Sequence, residues 1–197
     1  MPTIASTPPQ PPKARAHAAR RLPHPRTRLK WLHWGLLPFF VWFLFADPDA
    51  IRAMGPGWFL LHSVNGLIFV TLALIWTAWH LHAGLMGRPG PKLPRWGRVL
   101  HGILHRTLIW GLFLVAVGGF LLGLTSQVLL KAGGFLPIAP PLDLPDAHAL
   151  ASWFHVYQFY ALGGVVALHA GFHLWRHVVL GDNALRIMVP RALHRWL

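Results

Sequence analysis

The sequence contains no cysteine and no glutamate, and it has only five acidic residues among its 197. Without cysteine there are no disulfides, no thiolate metal ligands, no iron–sulfur clusters and no covalently attached haem. Charged residues make up 12% of the chain, against about 25% in a soluble domain, and 54% of the residues are hydrophobic. This composition predicts a membrane protein whose metal chemistry depends on its 14 histidines.

Four apolar runs follow a basic, proline-rich arm. The arm, residues 1–28, cannot form a core, so we expect it to be disordered. A signal peptide is disfavoured because the basic region is long and FLFADP is a poor cleavage site. Spanning a bilayer takes ~20 apolar residues, and none of the runs alternates as a strand would. The sequence therefore predicts an all-α integral membrane protein, a bundle of four transmembrane helices.

The expected domain organisation follows these runs. The four helices are predicted at about 29–46, 57–82, 98–130 and 149–178, within a single domain of residues 29–180. A basic tail covers residues 181–197. The long loop at 131–149 is interpreted as an ordered lid or docking surface, or as a plain linker.

The basic residues alternate between the connecting segments. Sixteen of the 18 lysines and arginines lie in the first 30 residues, between residues 81 and 106, or from residue 176 onwards. In a four-helix topology these segments share one side, so the positive-inside rule puts both termini in the cytoplasm. The net charge of +13 is then a topology signal, which argues against nucleic acid as a partner.

Two histidines in the last apolar run are fourteen residues apart, His155 and His169. This spacing gives ~21 Å of helix rise and falls ~40° short of four turns, so both imidazoles face nearly the same way. His33 lies near the inner end of the first helix, and His62 near the outer end of the second. The sequence thus predicts two imidazole pairs at matching depths, His33 with His169 inside and His62 with His155 outside.

Two imidazoles from two helices suit a non-covalent b-type haem, and two pairs suit two haems. Nearby glycines at positions 35, 66, 163 and 164 are expected to give the flat macrocycle room. A zinc or copper transporter would be expected to have acids or thiols in its spans, and the uncharged parts of these runs have none. A structural subunit whose histidines merely pack is the alternative from a different class.

Four segments carry a resemblance to a known family: LKWLHWGLLP, LHSVNGLIFVTLALIW, LHGILHRTLIWGLFLVAVGGFLLGL and FHVYQFYALGGVVALHAGFHLWRHV. With these segments the chain resembles the bacterial cytochrome b561 family, four-helix diheme b cytochromes, over nearly everything beyond residue 28. The resemblance implies axial ligand roles for the four paired histidines, two haem b groups, and ubiquinone or another quinone as substrate. It also implies a multi-pass protein of the bacterial inner membrane.

Further residues are candidates for contacts to haem propionates or a quinone. Three histidines lie at a depth similar to that of His169, and inner-face proton handling is a role open to them. His169 is preferred as the ligand because its spacing from His155 puts the two in register. The candidates are His101, His105, His173, Arg106 and Lys131, and Lys30, Arg98 and Arg52 are further cations expected near propionates.

The main functional hypothesis is respiratory electron transfer across the membrane between the quinone pool and a periplasmic partner, such as a c-type cytochrome or a dehydrogenase. One activity of the family is oxidation of periplasmic superoxide, with electrons passed to ubiquinone. The outer loops hold two basic residues and four acids, which disfavours steering of an anion unless Lys131 lies beside the outer haem.

A second alternative is a b-type anchor subunit of a dehydrogenase or other oxidoreductase complex, although such subunits commonly have an additional helix. The lipid bilayer is the expected environment of the chain. A homodimer is one assembly consistent with the sequence.

Overall fold

The computed structural model describes residues 25–85, 87–189 and 191–196, and these are mostly helical. The α-helices are α1 (Pro25–Phe45), α2 (Pro48–Ala53), α3 (Pro56–Ala83), α4 (Arg95–Leu124), α5 (Pro145–Val178) and α6 (Ala184–Met188). A 3₁₀ helix covers Arg191–Trp196. Two short strands, β1 (Leu130–Ala132) and β2 (Leu136–Ala139), pair as an antiparallel hairpin between α4 and α5.

Prolines mark where several helices begin. Pro48, Pro56 and Pro145 stand in the first turns of α2, α3 and α5, where a missing backbone N–H costs nothing. Asp47 caps α2, because its carboxylate accepts hydrogen bonds from two backbone N–H groups at 3.1 and 2.9 Å. The turn after α3 is made by Gly84, whose φ of 70° favours glycine. The borders therefore follow local turn chemistry.

The four long helices pack in the order α1, α3, α4, α5. The contact between α4 and α5 is the most extensive, α1 touches α5 only lightly, and α3 lies diagonally across from α5. At one end, the hairpin end, Leu142 N–H donates to Leu124 C=O at 3.3 Å and β1 packs on α3. At the other end, the tail end, Lys30 and Trp34 donate to the backbone carbonyls of Val189 and Met188 at 3.2 and 2.9 Å.

Aromatic side chains fill the middle of the bundle. Phe40 of α1 stacks on Phe159 of α5 with ring centroids 5.1 Å apart, and Phe43 meets Phe69 of α3 edge-on at 5.7 Å. Leucines and valines from all four long helices surround these four rings. We call the four phenylalanines the aromatic core. It occupies the apolar level between the histidines of the two bundle ends.

Two helices in the described part of the chain, α3 and α4, are long and apolar enough to cross a membrane. Only 11% and 17% of their most apolar stretches are buried, which differs from the core helix of a soluble protein. The other two long helices, α1 and α5, are less apolar and do not meet the same criterion. Basic residues open α1, and α5 carries Gln158 and several histidines, so their polar content explains the difference.

The borders differ from the expected ones in several places. The third long helix ends at Leu124, not near residue 130, because the hydroxyls of Thr125 and Ser126 donate to carbonyls of its last turn at 2.8 and 2.7 Å. The chain then enters the hairpin, so the 131–149 segment is ordered. The 47–56 loop contains α2, and the tail contains α6 and the 3₁₀ helix.

The expected disordered arm lies mostly outside the described residues, which begin at position 25. Its last four residues, 25–28, form the first turn of α1 and are therefore not disordered. Residues 190 and 197 of the tail also lie outside the described part.

Candidate functional site

The outer pair, His62 and His155, lies at the hairpin end of the bundle. The His62 ring meets Phe43 edge-on, with ring centroids 4.9 Å apart. The His155 ring lies against the backbone of α4, where a Cβ added to Gly118 or Gly119 would come within 3.2 Å of it. The two imidazoles are close enough to interact electrostatically. Glycine at both positions of α4 is therefore what lets the His155 ring sit at this depth.

The inner pair, His33 and His169, lies towards the tail end. His33 packs among indole rings, with centroids 6.1 Å from Trp34 and 6.4 Å from Trp76. His169 projects from α5 within electrostatic range of His33. The members of each predicted pair lie within electrostatic range of one another, and the aromatic core separates the pairs. The imidazoles in direct ring contact with His169 are those of His105 and His173.

The helices that carry each pair do not pack tightly on one another. His33 and His169 come from α1 and α5, which touch only lightly, and His62 and His155 come from the diagonal helices α3 and α5. The backbones of α1 and α5 stay apart, and side chains such as Phe40 and Phe159 fill the space between them at the middle of the bundle. Helices at this separation leave room for a group between two imidazoles. A pair on tightly packed helices would leave no such room.

The buried ring nitrogens of the four paired histidines differ in their surroundings. In His33, His62 and His169, Nδ1 is buried and has no hydrogen-bond partner among the described residues. The His155 ring lies within hydrogen-bonding reach of the Val115 backbone. Leaving a buried polar atom unpaired costs about 1–3 kcal/mol, so hydrogen-bonded core histidines would not be built this way. His80 and His177 also have an unpaired Nδ1, but they lie in the last turns of α3 and α5. The pairing and the depth of the four imidazoles fit bis-imidazole ligation of haem iron.

Three more histidines meet at the tail end. His101 and His105 lie one turn apart on α4, and His173 faces them from α5; we call these three the histidine triad. One ligand nitrogen from each lies within 4.8 Å of the others. His169 adjoins the triad, with its ring centroid 4.7 Å from that of His105 and 4.5 Å from that of His173. The three residues proposed from depth alone therefore form one cluster beside the inner pair.

The two candidate cations are exposed. Arg106 lies on α4, and Lys131 lies in β1, whose hairpin covers the first turns of α3 around His62. The cation within electrostatic range of His62 is Arg52. Its guanidinium stacks 5.0 Å from the centroid of the Phe59 ring, which lies parallel to the His62 ring at 6.3 Å.

The tail end also contains a buried ion pair that sequence reasoning missed. Arg176 donates to one carboxylate oxygen of Asp182 through Nε at 2.9 Å and through Nη2 at 2.7 Å. The other oxygen accepts from Ala184 N–H at 3.1 Å. The only signal in the sequence is an isolated acid in a basic tail, six residues after the arginine. The pair fixes the turn that follows α5.

A groove of about 810 Å³ opens between α1 and α3 at the tail end. Its walls combine two indoles with apolar side chains, and a guanidinium and an imidazole lie at its rim. The Arg28 guanidinium stacks 4.9 Å above the Trp79 ring. The lining residues are Arg28, Trp31, Leu32, Leu72, Ile75, Trp79, His82 and Ala83.

Comparison with protein-family models and with curated proteins finds no match to this chain. What the protein does is therefore inferred from its residues, from the resemblance they carry and from the geometry of the two imidazole pairs.

Proposed function

We propose that the protein is a diheme b-type cytochrome that carries electrons across the bacterial inner membrane, between the quinone pool and a periplasmic redox partner. The observation that carries this proposal is the arrangement of four imidazoles. His33 and His169 lie towards one end of the bundle, and His62 and His155 lie at the opposite end, with the aromatic core between the two pairs. Neutral imidazole is a good ligand for haem iron, and non-covalent haem needs no cysteine.

In this proposal all four long helices cross the membrane. The 21 residues of α1 correspond to about 31 Å of helix and the 34 residues of α5 to about 51 Å, against a hydrocarbon core of ~30 Å. Large apolar side chains on the outside of the bundle support contact with lipid, since soluble proteins seldom expose so many. Examples are Leu74, Ile75, Val99, Ile103, Leu168 and Leu174.

The distribution of charge gives the orientation of the bundle. The tail end carries most of the described basic side chains, including Lys30, Lys92 and Arg95, whereas the hairpin end carries Arg52 and Lys131. The positive-inside rule then places the tail end and both termini in the cytoplasm. The inner pair would face the quinone side at the cytoplasmic surface, and the outer pair would face the periplasm.

The four imidazoles would hold two haem b groups, each of which would supply a one-electron couple. The chain contributes the placement of the two sites. His155 and His169 are separated by ~21 Å along α5, and the aromatic core excludes water from the level between them. Gly118 and Gly119 hold the His155 ring against α4. Arg52, Lys131 and Arg106 are the cations available to propionates.

The groove between α1 and α3 supports a quinone as the membrane-soluble substrate. Trp31 and Trp79 offer flat apolar walls to a ring and an isoprenoid tail, and Arg28 and His82 offer hydrogen-bond donors to carbonyl oxygens. Its position at the tail end is on the same side as the inner pair. Ubiquinone is the quinone suggested by the sequence resemblance.

One observation favours a second candidate function, oxidation of periplasmic superoxide. Lys131 lies in β1, which packs on the turns of α3 that carry His62, and Arg52 lies within electrostatic range of the same imidazole. The acids of the outer loops include Asp49, which is already paired with Arg52 at 3.3 Å. Because this pair neutralises Arg52 as well, Lys131 would supply the positive charge that attracts an anion to the outer pair, against outer loops that are acidic in sum.

The haem content of the purified protein tests the main proposal. We expect red protein with reduced b-type absorbance bands and two haems per chain. His155→Ala should remove one haem and leave the other. His148→Ala is the matched control on the same helix, because His148 lies seven residues before His155, near the start of α5 and outside both imidazole pairs.

Three outcomes would contradict the proposal. A colourless, folded wild-type protein would favour a membrane anchor whose histidines only pack. Two haems in His155→Ala would break the ligand assignment at the outer pair. Equal loss of haem in His148→Ala and His155→Ala would indicate general disruption of α5 and would remove the support for a specific pair.

A further inference from the structure

We propose that the histidine triad, His101, His105 and His173, is a binding site for one first-row divalent transition-metal ion, for which Zn²⁺ is the simplest probe. This inference does not rest on the proposed cytochrome function, since it uses three imidazoles outside the two pairs. Imidazole is a preferred ligand of Zn²⁺, and three histidines with a fourth position for water or another ligand form a common zinc site.

The distances suit such an ion. One nitrogen from each imidazole lies within 4.8 Å of the other two. Tetrahedral Zn²⁺ with Zn–N bonds of about 2.0–2.1 Å needs nitrogens about 3.3 Å apart, so each pair has to close by no more than about 1.5 Å. Small side-chain rotations cover that distance. The i, i+4 spacing of His101 and His105 already puts both rings on one face of α4.

The hydrogen bonding at the triad leaves one ring nitrogen of His105 and one of His173 available to a metal ion. His105 Nδ1 lies 2.7 Å from the carbonyl oxygen of His101, a contact that requires Nδ1 to carry the proton. That tautomer leaves His105 Nε2 free to bind a metal, and the same backbone bond orients the ring, as is usual for metal-bound histidine. His173 Nε2 is buried and has no hydrogen-bond partner in the described part of the chain. His101 is itself only 2% exposed.

The charge around the triad does not oppose a cation. The Arg176 guanidinium lies one turn beyond His173 on α5 and would repel a metal ion if it stood alone. It is paired with Asp182 at 2.7 Å, with both side chains buried, so the local charges cancel. The imidazoles are neutral, and the charge of Arg176 is cancelled by Asp182. The net charge of the site is therefore that of the bound ion.

The loop before α4 covers the triad. A Cβ added to Gly87 would lie 3.3 Å from His105 Nε2 and 3.6 Å from His101 Cε1. The backbone of the loop therefore lies directly over the triad, because Gly87 has no side chain to hold it away. An ion bound here would join α4 to α5 beneath the loop at the tail end.

Zinc competition on the full-length protein in detergent tests this inference. Metal-stripped protein is titrated with Zn²⁺ against a chromophoric chelator that outcompetes weak surface histidines. We expect one tight Zn²⁺ per chain in the wild type and in His177→Ala, a histidine one turn beyond His173. His105→Ala and His173→Gln should each lower the affinity by more than about 100-fold, since loss of an outer-sphere partner alone costs about 10–100-fold.

X-ray absorption should then show nitrogen ligands at about 2.0 Å from the zinc. Absence of tight Zn²⁺ in the wild type would overturn the inference. An equal loss in His177→Ala would indicate adventitious surface binding and would also overturn it. Loss of haem without any loss of zinc in His105→Ala and His173→Gln would assign these rings to the inner haem site instead. Tight zinc in a haem-free wild type would support the triad while contradicting the cytochrome proposal.

Discussion

Replacing Asp182 by alanine should destabilise the tail end of the bundle far more than removal of an exposed acid. The Arg176 side chain is 2% exposed and that of Asp182 is 6% exposed, so the substitution leaves an unpaired guanidinium in a buried position. Breaking a buried ion pair by removing one partner typically costs about 3–5 kcal/mol of unfolding free energy. Gly90 packs against this pair from the loop before α4, since a Cβ there would lie 2.6 Å from the Asp182 carboxylate.

The matched control is Asp49→Ala, which removes an exposed ion pair. Asp49 and Arg52 are 3.3 Å apart, but their side chains are 90% and 61% exposed, so the loss should stay below about 1 kcal/mol. Unfolding in a denaturing detergent, followed by circular dichroism, gives both free-energy changes. Adding Arg176→Met to Asp182→Ala should recover at least half of the lost stability, because the buried charge is gone.

Two results would refute this account of the tail end. The first is an Asp182→Ala protein within 1 kcal/mol of the wild type, a limit set by what exposed pairs contribute (about 0–1 kcal/mol). The second is a double variant as unstable as Asp182→Ala alone, which would mean that the lost Ala184 hydrogen bond or the altered turn, and not the unpaired charge, causes the destabilisation.

Three further predictions concern the glycines and the exposed lysine. Gly119→Leu should displace the His155 ring and remove the outer haem signal, whereas Gly171→Ala, where a Cβ has open space, should leave both haems in place, as absorbance spectra would show. Lys131→Glu should slow superoxide-driven reduction several-fold at low salt and less at high salt in stopped-flow measurements, and an unchanged rate would remove the support for anion steering. Gly87→Val should weaken zinc binding at least tenfold in the competition assay without changing helical content, and full-strength binding would mean that the loop does not cover the triad.

The apolar runs predict the long helices because the side chains that face lipid and those that face the interior of the bundle are both apolar, which gives a continuous apolar sequence. The helical character is confirmed, and the four long helices lie within a few residues of the expected ranges except at the end of α4. That end depends on Thr125 and Ser126, whose hydroxyls close the last turn; this is local chemistry that a hydropathy pattern does not register. The crossing of the membrane by α1 and α5 stays a prediction, since polar side chains dilute their apolar character.

The spacing of His155 and His169 could be recognised in the sequence because it is a property of one helix. The pairing partners were inferred from depth, and the pairing stays a prediction. The triad could be anticipated only as three residues at one depth. Whether His173 meets His105 depends on the rotation of α5 against α4, which the sequence of either helix alone does not determine. The contact of Gly118 and Gly119 with His155 escaped prediction for the same reason.

The helices of the bundle pack unevenly, and this unevenness bears on which helix would move when a group binds. Helix α5 carries one member of each imidazole pair, one member of the triad and the buried arginine, and it packs extensively on α4. Its contact with α1 is light, yet α1 supplies His33 to the inner pair. A group held between His33 and His169 would therefore be accommodated by a shift of α1, while the α4–α5 unit stays fixed. Lys30 and Trp34 tie the start of α1 to carbonyls at the end of α6, so such a shift would carry the C-terminal segment with it.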